Sequence, residues 1–195
     1  DGTVNEKAIT SPETDNHVYW LSGEHISTVT VTDDDTGVNS VSRTINVLDA
    51  AGANRYVVEN LRKCSNIDDF SKTLSELEGN NGGDASNGVI DMLDKGNWNS
   101  AEVKIAKALE YLENQNACTG IDVSLPVQRS VLVMAAKSVV VVLVKSAKEQ
   151  ADKPKDHDKI AEAEQRITNG NQLFKDGDLV RAVNTYRSAL SKLPK

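Results

Sequence analysis

Three histidines carry the side chains best suited to proton transfer or metal binding, because an imidazole titrates near neutral pH and coordinates transition metals. His17 and His25 fall in strand-like segments, and His157 lies in a polar linker predicted over 153–159. None of them has a cysteine or another histidine at a zinc-ligand spacing. We therefore expect solvated or structural histidines.

Motifs of the common enzyme classes are missing from the sequence, which has no G-x-S-x-G, Walker loop, H-E-x-x-H or G-x-G-x-x-G. The weak candidates for a calcium site are Asp33, Asp34 and Asp35, but Ca²⁺ takes roughly six to eight oxygens, more than three adjacent carboxylates supply. With Gly37 behind them they are more typical of a tight turn. The sequence predicts no catalytic residue, no metal and no cofactor, with calcium as the weaker alternative.

Two cysteines, Cys64 and Cys118, match neither a zinc-ligand spacing nor a C-x-x-C redox motif. They leave two interpretations open, a single long-range disulfide or two buried thiols. A disulfide would close a loop long enough to stabilise the fold by about 4 kcal/mol.

Charge is unevenly distributed over the 195 residues, of which 38% are hydrophobic. Residues 1–50 carry nine acidic and two basic side chains, which accounts for the whole net charge of −7, so residues 51–195 are neutral. An acidic chain without a basic cluster argues against nucleic-acid binding. The longest apolar run, 131–144, contains Lys137 and falls short of the roughly 20 residues that span a bilayer, so we expect no membrane span.

The first fifty residues alternate with period two, and their β-branched side chains predict strands over 17–20, 25–32 and 41–47. The runs His17-x-Tyr19, Ser22-Gly23-Glu24, I-x-T-V-T-V-T-D-D-D-x-G over 26–37 and T-I-x-V over 44–47 resemble the second half of a polycystic kidney disease (PKD) domain. That family is an immunoglobulin-like β-sandwich found in tandem on large extracellular proteins.

The resemblance is incomplete at its start, where Asp1-Gly2 is similar to the end of the family's W-D-F-G-D-G motif and Trp20 replaces a smaller residue. Half a sandwich exposes an apolar face and open strand edges. The resemblance therefore implies that an upstream part of the same precursor, or a protein partner, completes the sandwich. It also implies an extracellular or cell-envelope location.

After a short Ala/Gly linker over 50–52, the apolar period changes to 3.6 and helices are expected throughout 53–195. One is predicted over 57–64, and another has Ile67 on its apolar face. The valine-rich segment 127–147 has one narrow polar arc, so we place it in the centre of a bundle, surrounded by other helices. Its predicted core residues are Val131, Val139, Val140, Leu143 and Ala147.

The last helices resemble a tetratricopeptide repeat (TPR), through the pattern G-x3-F-x2-G-D-L-x2-A-V-x2-Y-x2-A-L-x3-P over 170–194. The consensus Trp and Leu are replaced by Arg166 and Asn169. By resemblance, the first helix of the repeat would contact a partner through Glu164, Ile167, Asn171, Phe174 and Lys175. A similar pattern 81 positions earlier, over 93–109, predicts two TPR-like hairpins, near 85–115 and 158–194. Because a solenoid needs about three adjacent repeats, we expect a closed bundle.

Together these patterns predict an α+β multidomain protein, with a partial immunoglobulin-like β-sandwich over 1–50 and an all-α helical bundle over 53–195. The expected function is a non-catalytic structural or protein–protein interaction module at the C-terminal end of a large secreted or cell-surface prokaryotic protein. One alternative is an accessory region that positions an extracellular hydrolase on its substrate. The other is an intracellular TPR-type adaptor that binds a peptide and keeps both cysteines free.

Overall fold

The computed structural model describes residues 22–32, 37–79, 87–115 and 117–194. Within them lie one two-stranded antiparallel sheet and seven α-helices, so the α+β class is confirmed. The chain divides into two compact units, residues 1–47 and 48–195. The strand predicted over 17–20, the Asp1-Gly2 and Trp20 positions, and His17 lie outside the described residues.

The described part of the first unit is a β-hairpin, in which β1 (Gly23–Thr32) pairs antiparallel with β2 (Val38–Val47). Val29 lies opposite Val41 and Thr28 opposite Ser42, and the two hydroxyl oxygens of the second pair are 2.7 Å apart. Since successive side chains point to opposite faces, the register separates a mainly apolar face, which also carries Arg43, from a face rich in Thr and Ser that also carries Ile26 and Val38. The apolar face carries Val29, Val31, Val41, Ile45 and Val47.

The helical unit begins earlier than predicted, because the linker expected over 50–52 forms the first turn of α1 (Ala50–Leu61). Asp49 is its N-cap, and its Oδ1 accepts a hydrogen bond from the backbone N of Gly52 at 2.6 Å. This cap satisfies one of the amide groups that a helix start leaves unpaired, which allows the Ala/Gly segment to be helical.

The remaining elements follow in close succession: a 3₁₀ turn (Ile67–Phe70), α2 (Ser71–Glu78), α3 (Val89–Asp94), α4 (Trp98–Glu113), α5 (Leu125–Gln150), α6 (Pro154–Lys175) and α7 (Leu179–Leu190). Ile67 is exposed, which corrects its predicted place on an apolar face, whereas Phe70, Leu74 and Leu77 are buried. The polar linker predicted over 153–159 is also wrong, because α6 starts there with Pro154 at a position where its missing amide hydrogen costs nothing.

The valine-rich helix α5 packs against α1, α4, α6 and α7 and contributes Val139 and Val140 to the core. The predicted core residues Val131, Leu143 and Ala147 are only partly buried against it. One side of α5 is open, with Val127, Met134 and Val142 exposed, so neighbours do not surround it as predicted.

Among the described helices, α5 alone is long and apolar enough to cross a membrane by length and composition, with a mean hydropathy of 1.9. A core helix of a soluble bundle passes the same test, and 39% of the apolar window is buried inside the structure. The expectation of no membrane span stays a prediction.

Two helical hairpins, α3–α4 and α6–α7, turn in the same way. Gly96 and Gly177 both have positive φ, +71° and +81°, a backbone region that favours glycine. The next residue donates in each case to a carbonyl five residues back, Asn97 N to Met92 O at 2.8 Å and Asp178 N to Leu173 O at 2.9 Å. The internal similarity read from the sequence therefore corresponds to a repeated turn.

The second helices of the two hairpins pack against each other and run antiparallel. The start of α4 (Asn99, Val103) lines the same cleft as the end of α7 (Arg187, Ser191), while Asp178 at the start of α7 acts electrostatically on Glu113 at the end of α4. Antiparallel packing of two equivalent helices is a two-fold-like arrangement that closes on itself.

Candidate functional site

A disulfide joins Cys64 to Cys118, with an S–S distance of 2.14 Å. It ties the end of the α1 region to the segment between α4 and α5. The same junction is held by Asn66, whose amide donates to Ala117 O at 3.1 Å and whose Oδ1 accepts from Thr119 N at 2.9 Å. Of the two interpretations that the sequence left open, the structure has the bonded one.

The five residues predicted to contact a partner lie on α6, and four of them have contacts within the helical unit. Ile167 and Phe174 pack against the core. Glu164 pairs with Lys148 of α5 at 2.5 Å, and Asn171 Oδ1 accepts from the Tyr186 hydroxyl at 2.9 Å. Lys175 is exposed. The structure thus gives most of this set a packing or pairing role.

The other predicted candidates are dispersed. His25 lies on β1 opposite Ile45, and His157 is exposed in the first turn of α6. The calcium candidates Asp33, Asp34 and Asp35 lie outside the described residues. Across the described part of the chain, no group of His, Cys, Asp or Glu side chains could hold a metal ion.

The apolar face of the β-hairpin is exposed in the described part of the first unit. Val29 and Val41, directly opposed, are 58% and 63% exposed, and Val31 is 58% exposed. β-branched side chains in this arrangement suit a pleated surface that is covered on one side. The face is therefore an exposed apolar surface of a kind that sheets usually bury.

A buried carboxyl group is the most unusual feature of the helical unit. Glu102 on α4 has no exposed surface, and neither of its carboxyl oxygens has a hydrogen-bond partner. Burial raises the pKa of Glu102 from 4.5 to about 9, and the nearby charge of Arg187 on α7 offsets only part of this rise. The carboxyl group is consequently uncharged at neutral pH.

Beside this pair, α4 and α7 border a cleft of about 540 Å³ that is open to solvent. Asn99, Ser100 and Val103 line it from α4. From α7 come Asn184, Arg187, Ser188 and Ser191. Ser188 Oγ is held by a second guanidinium, since Arg166 Nη1 on α6 donates to it at 2.7 Å.

Neither Glu102 nor Arg187 stands out from the sequence, because each looks like an ordinary charged residue on a helix surface. The available signal was the internal repeat. Position 102 corresponds to position 183, 81 residues later, where the chain has a buried valine. A charged residue in an apolar register of one copy could have identified the buried carboxyl.

Comparisons with protein-family models, with curated proteins and with solved structures found no match for this chain. Its functional interpretation therefore depends on the geometry of the hairpin and of the helical unit.

Proposed function

We propose that this chain is a non-catalytic structural module of a large secreted or cell-surface protein, in which the β-hairpin joins further strands to form an immunoglobulin-like sandwich of the PKD type. The observation that carries this proposal is the exposed apolar face around Val29 and Val41. An isolated two-stranded hairpin is marginally stable in water. Open edges and an apolar face favour pairing with strands from an upstream part of the same precursor or from a partner protein.

The Cys64–Cys118 disulfide supports the secreted or cell-envelope location, because such bonds form and persist in oxidising compartments and are rare in the cytosol. The same bond argues against an intracellular peptide adaptor, which would keep both thiols free. Alkylation and mass spectrometry of the protein from its native cells would test this point, and free thiols at both positions would contradict the location.

The closed packing of α4 against α7 favours a compact spacer over a superhelical peptide receptor. In a solenoid, each repeat stacks on the next with the same orientation and leaves a continuous groove. Here the two TPR-like hairpins meet through antiparallel helices. Such a two-fold-like contact uses the same face of both hairpins, so a third hairpin cannot be added by repeating it. A role in assembly or attachment fits this geometry.

The proposal is tested by sedimentation velocity and by binding of a hydrophobic dye to the full chain. We expect the wild type to bind dye and self-associate as concentration rises, because no further strand covers the apolar face within the residues that the structure describes. The variant V29T/V41T, which keeps good strand formers but makes the face polar, should lose both properties. The control T28A/S42A changes the opposite face and should retain them.

The contradicting result is a monomeric wild type that binds no dye and whose hairpin amides resist hydrogen exchange. Such protection would mean that the hairpin is stable without added strands.

A further inference from the structure

The cleft between α4 and α7 is open to solvent and has a volume of about 540 Å³. It is bordered by three serines, two asparagines and an arginine, with Val103 as the apolar exception. None of these residues is buried, so their polar groups can reach a ligand from solvent. The lining is rich in hydrogen-bond donors.

Arg187 supplies the positive charge of this cleft. Within the described part of the chain, its guanidinium forms no hydrogen bond or ion pair with an acceptor. The carboxyl group of Glu102, on which Arg187 acts electrostatically, is fully buried, and its burial raises its pKa to about 9. At neutral pH it carries no negative charge, so it does not neutralise Arg187.

A second guanidinium orients the polar wall of the cleft. Arg166 Nη1 donates to Ser188 Oγ at 2.7 Å, which leaves the Ser188 hydroxyl proton free to donate elsewhere. Ser100 lies on the same cleft from α4, whereas the Ser191 hydroxyl already donates to Ser188 O at 2.7 Å. Positive charge and hydroxyl donors therefore converge from both helices.

We propose that this cleft binds a carboxylate, with the Arg187 guanidinium as its principal contact and the hydroxyls of Ser100 and Ser188 as supporting donors. The planar fork of an arginine matches a carboxylate through two parallel hydrogen bonds. The carboxylate can belong to an acidic side chain or to the C-terminus of a peptide. This inference concerns the helical unit and is independent of the apolar face of the β-hairpin.

The test is a titration of the full chain, labelled with ¹⁵N, with three probes. N-acetyl-aspartate amide offers a side-chain carboxylate only, N-acetyl-glycine offers a C-terminal carboxylate only, and inorganic phosphate offers a different anion. We expect saturable shifts of the Arg187 Nε–H and of the Ser188 and Ser191 amides with at least one carboxylate. The probe that binds more tightly identifies the source.

Three variants give the proposal its sharpest test. R187Q should weaken carboxylate binding by about tenfold or more, as expected for the loss of a charged hydrogen-bond partner. The matched control R181Q removes an exposed arginine from the same helix, one that pairs with Asp178 at 2.8 Å, and should leave the affinity unchanged. E102Q, which keeps an uncharged group at the buried position, should bind as the wild type does.

Three results would overturn the proposal. One is the absence of saturable shifts in the cleft with either carboxylate. Another is equal affinity of R187Q and wild type, checked on variants whose amide spectra show an intact fold. The third is tighter binding of phosphate than of both carboxylates.

Discussion

The two helical hairpins have the same turn but bury different side chains. In α3–α4, the residue after Ala101 is Glu102; in α6–α7, the residue after Ala182 is Val183, and both are fully buried. Because α4 and α7 are antiparallel, the counterpart of the Glu102–Arg187 pair is the pair of Val183 and Ala106, which are both buried, whereas Arg187 is only partly buried. One half of a two-fold-like contact is apolar and the other half carries an acid and a base.

The hairpins also distribute volume differently at their closest approach. The second hairpin combines Gly170 with the large ring of Tyr186, whereas the equivalent residues of the first are Val89 and Ile105, all fully or nearly fully buried. A small residue facing a large one can fill the same space as two of medium size. The turn and the helix register are thus shared, while packing and charge are specific to each copy.

The disulfide gives the largest expected difference between the hairpins, because α3–α4 lies inside the loop from Cys64 to Cys118 and α6–α7 lies outside it. A bond between residues 54 positions apart should contribute about 4 kcal/mol to the free energy of unfolding. After reduction, native-state hydrogen exchange should show α3–α4 opening before α6–α7.

The variant C64A/C118A serves as the control for reduction and should exchange like the reduced wild type. Equal loss of protection in both hairpins would contradict the prediction. It would mean that the loop does not hold the first hairpin selectively.

The buried carboxyl group should make stability depend on pH. Glu102 has a folded pKa of about 9 against 4.5 as the reference value, so between these pH values the unfolded chain ionises and the folded one does not. Its contribution therefore destabilises the fold by about 1.4 kcal/mol per pH unit as pH rises from 4.5, and levels off above pH 9. At pH 7 the loss is on the order of 3 kcal/mol.

E102Q should remove this slope, as measured by urea unfolding at a series of pH values. Arg187 on α7 is the charge that faces the group, and it stays in place in this variant. The control is E113Q on the same helix, where partial burial also raises the pKa but Arg129 opposes it, so its slope should change less. Parallel profiles for E102Q and wild type would show that Glu102 is ionised when folded.

The close approach of α6 to α7 depends on Gly170, which faces the ring of Tyr186. A Cβ at Gly170 would lie 2.4 Å from Cε1 of Tyr186, and the buried ring has little room to move. G170A should therefore destabilise the protein by about 2 kcal/mol through overpacking. Urea denaturation measures the change.

The double variant G170V/Y186I copies the residues of the first hairpin and should be more stable than G170V alone. A double-mutant cycle on these changes then has a favourable coupling free energy. Additive effects would contradict the view that the two positions share one volume.

The sequence predicts the positions of strands, helices and turns better than it predicts where some helices begin. The β-branched alternation located β1 and β2, and the period of 3.6 located most helices, because both patterns report which side chains one face must bury. The repeated glycines at 96 and 177 predicted the two turns, since few other residues adopt positive φ. Asp49 and Pro154 mark the starts of α1 and α6. Composition alone had instead assigned the segments 50–52 and 153–159 to linkers.

Side-chain environments were less predictable, because they depend on residues distant in the chain. The exposure of Met134 and Val142 follows from which neighbours reach α5, and the single-helix pattern does not contain that information. Glu102 is buried and lies near Arg187 of α7, a residue distant in the chain. The pairing of Cys64 with Cys118 likewise depends on where the chain returns after α4.

The smallest expected difference between the hairpins lies at the N-cap residues of α4 and α7. Asp178 caps α7, with Oδ1 accepting from Arg181 N at 3.4 Å and Oδ2 from Arg181 Nη1 at 2.8 Å, whereas Asn97 has the same backbone region but no side-chain cap hydrogen bond. D178A should therefore lower the free energy of unfolding by about 1 kcal/mol. N97A should lower it by less, because no cap bond is lost. Urea unfolding midpoints of D178A and N97A measure this difference. An equal loss of unfolding free energy in both variants would mean that Asn97 caps α4 in solution.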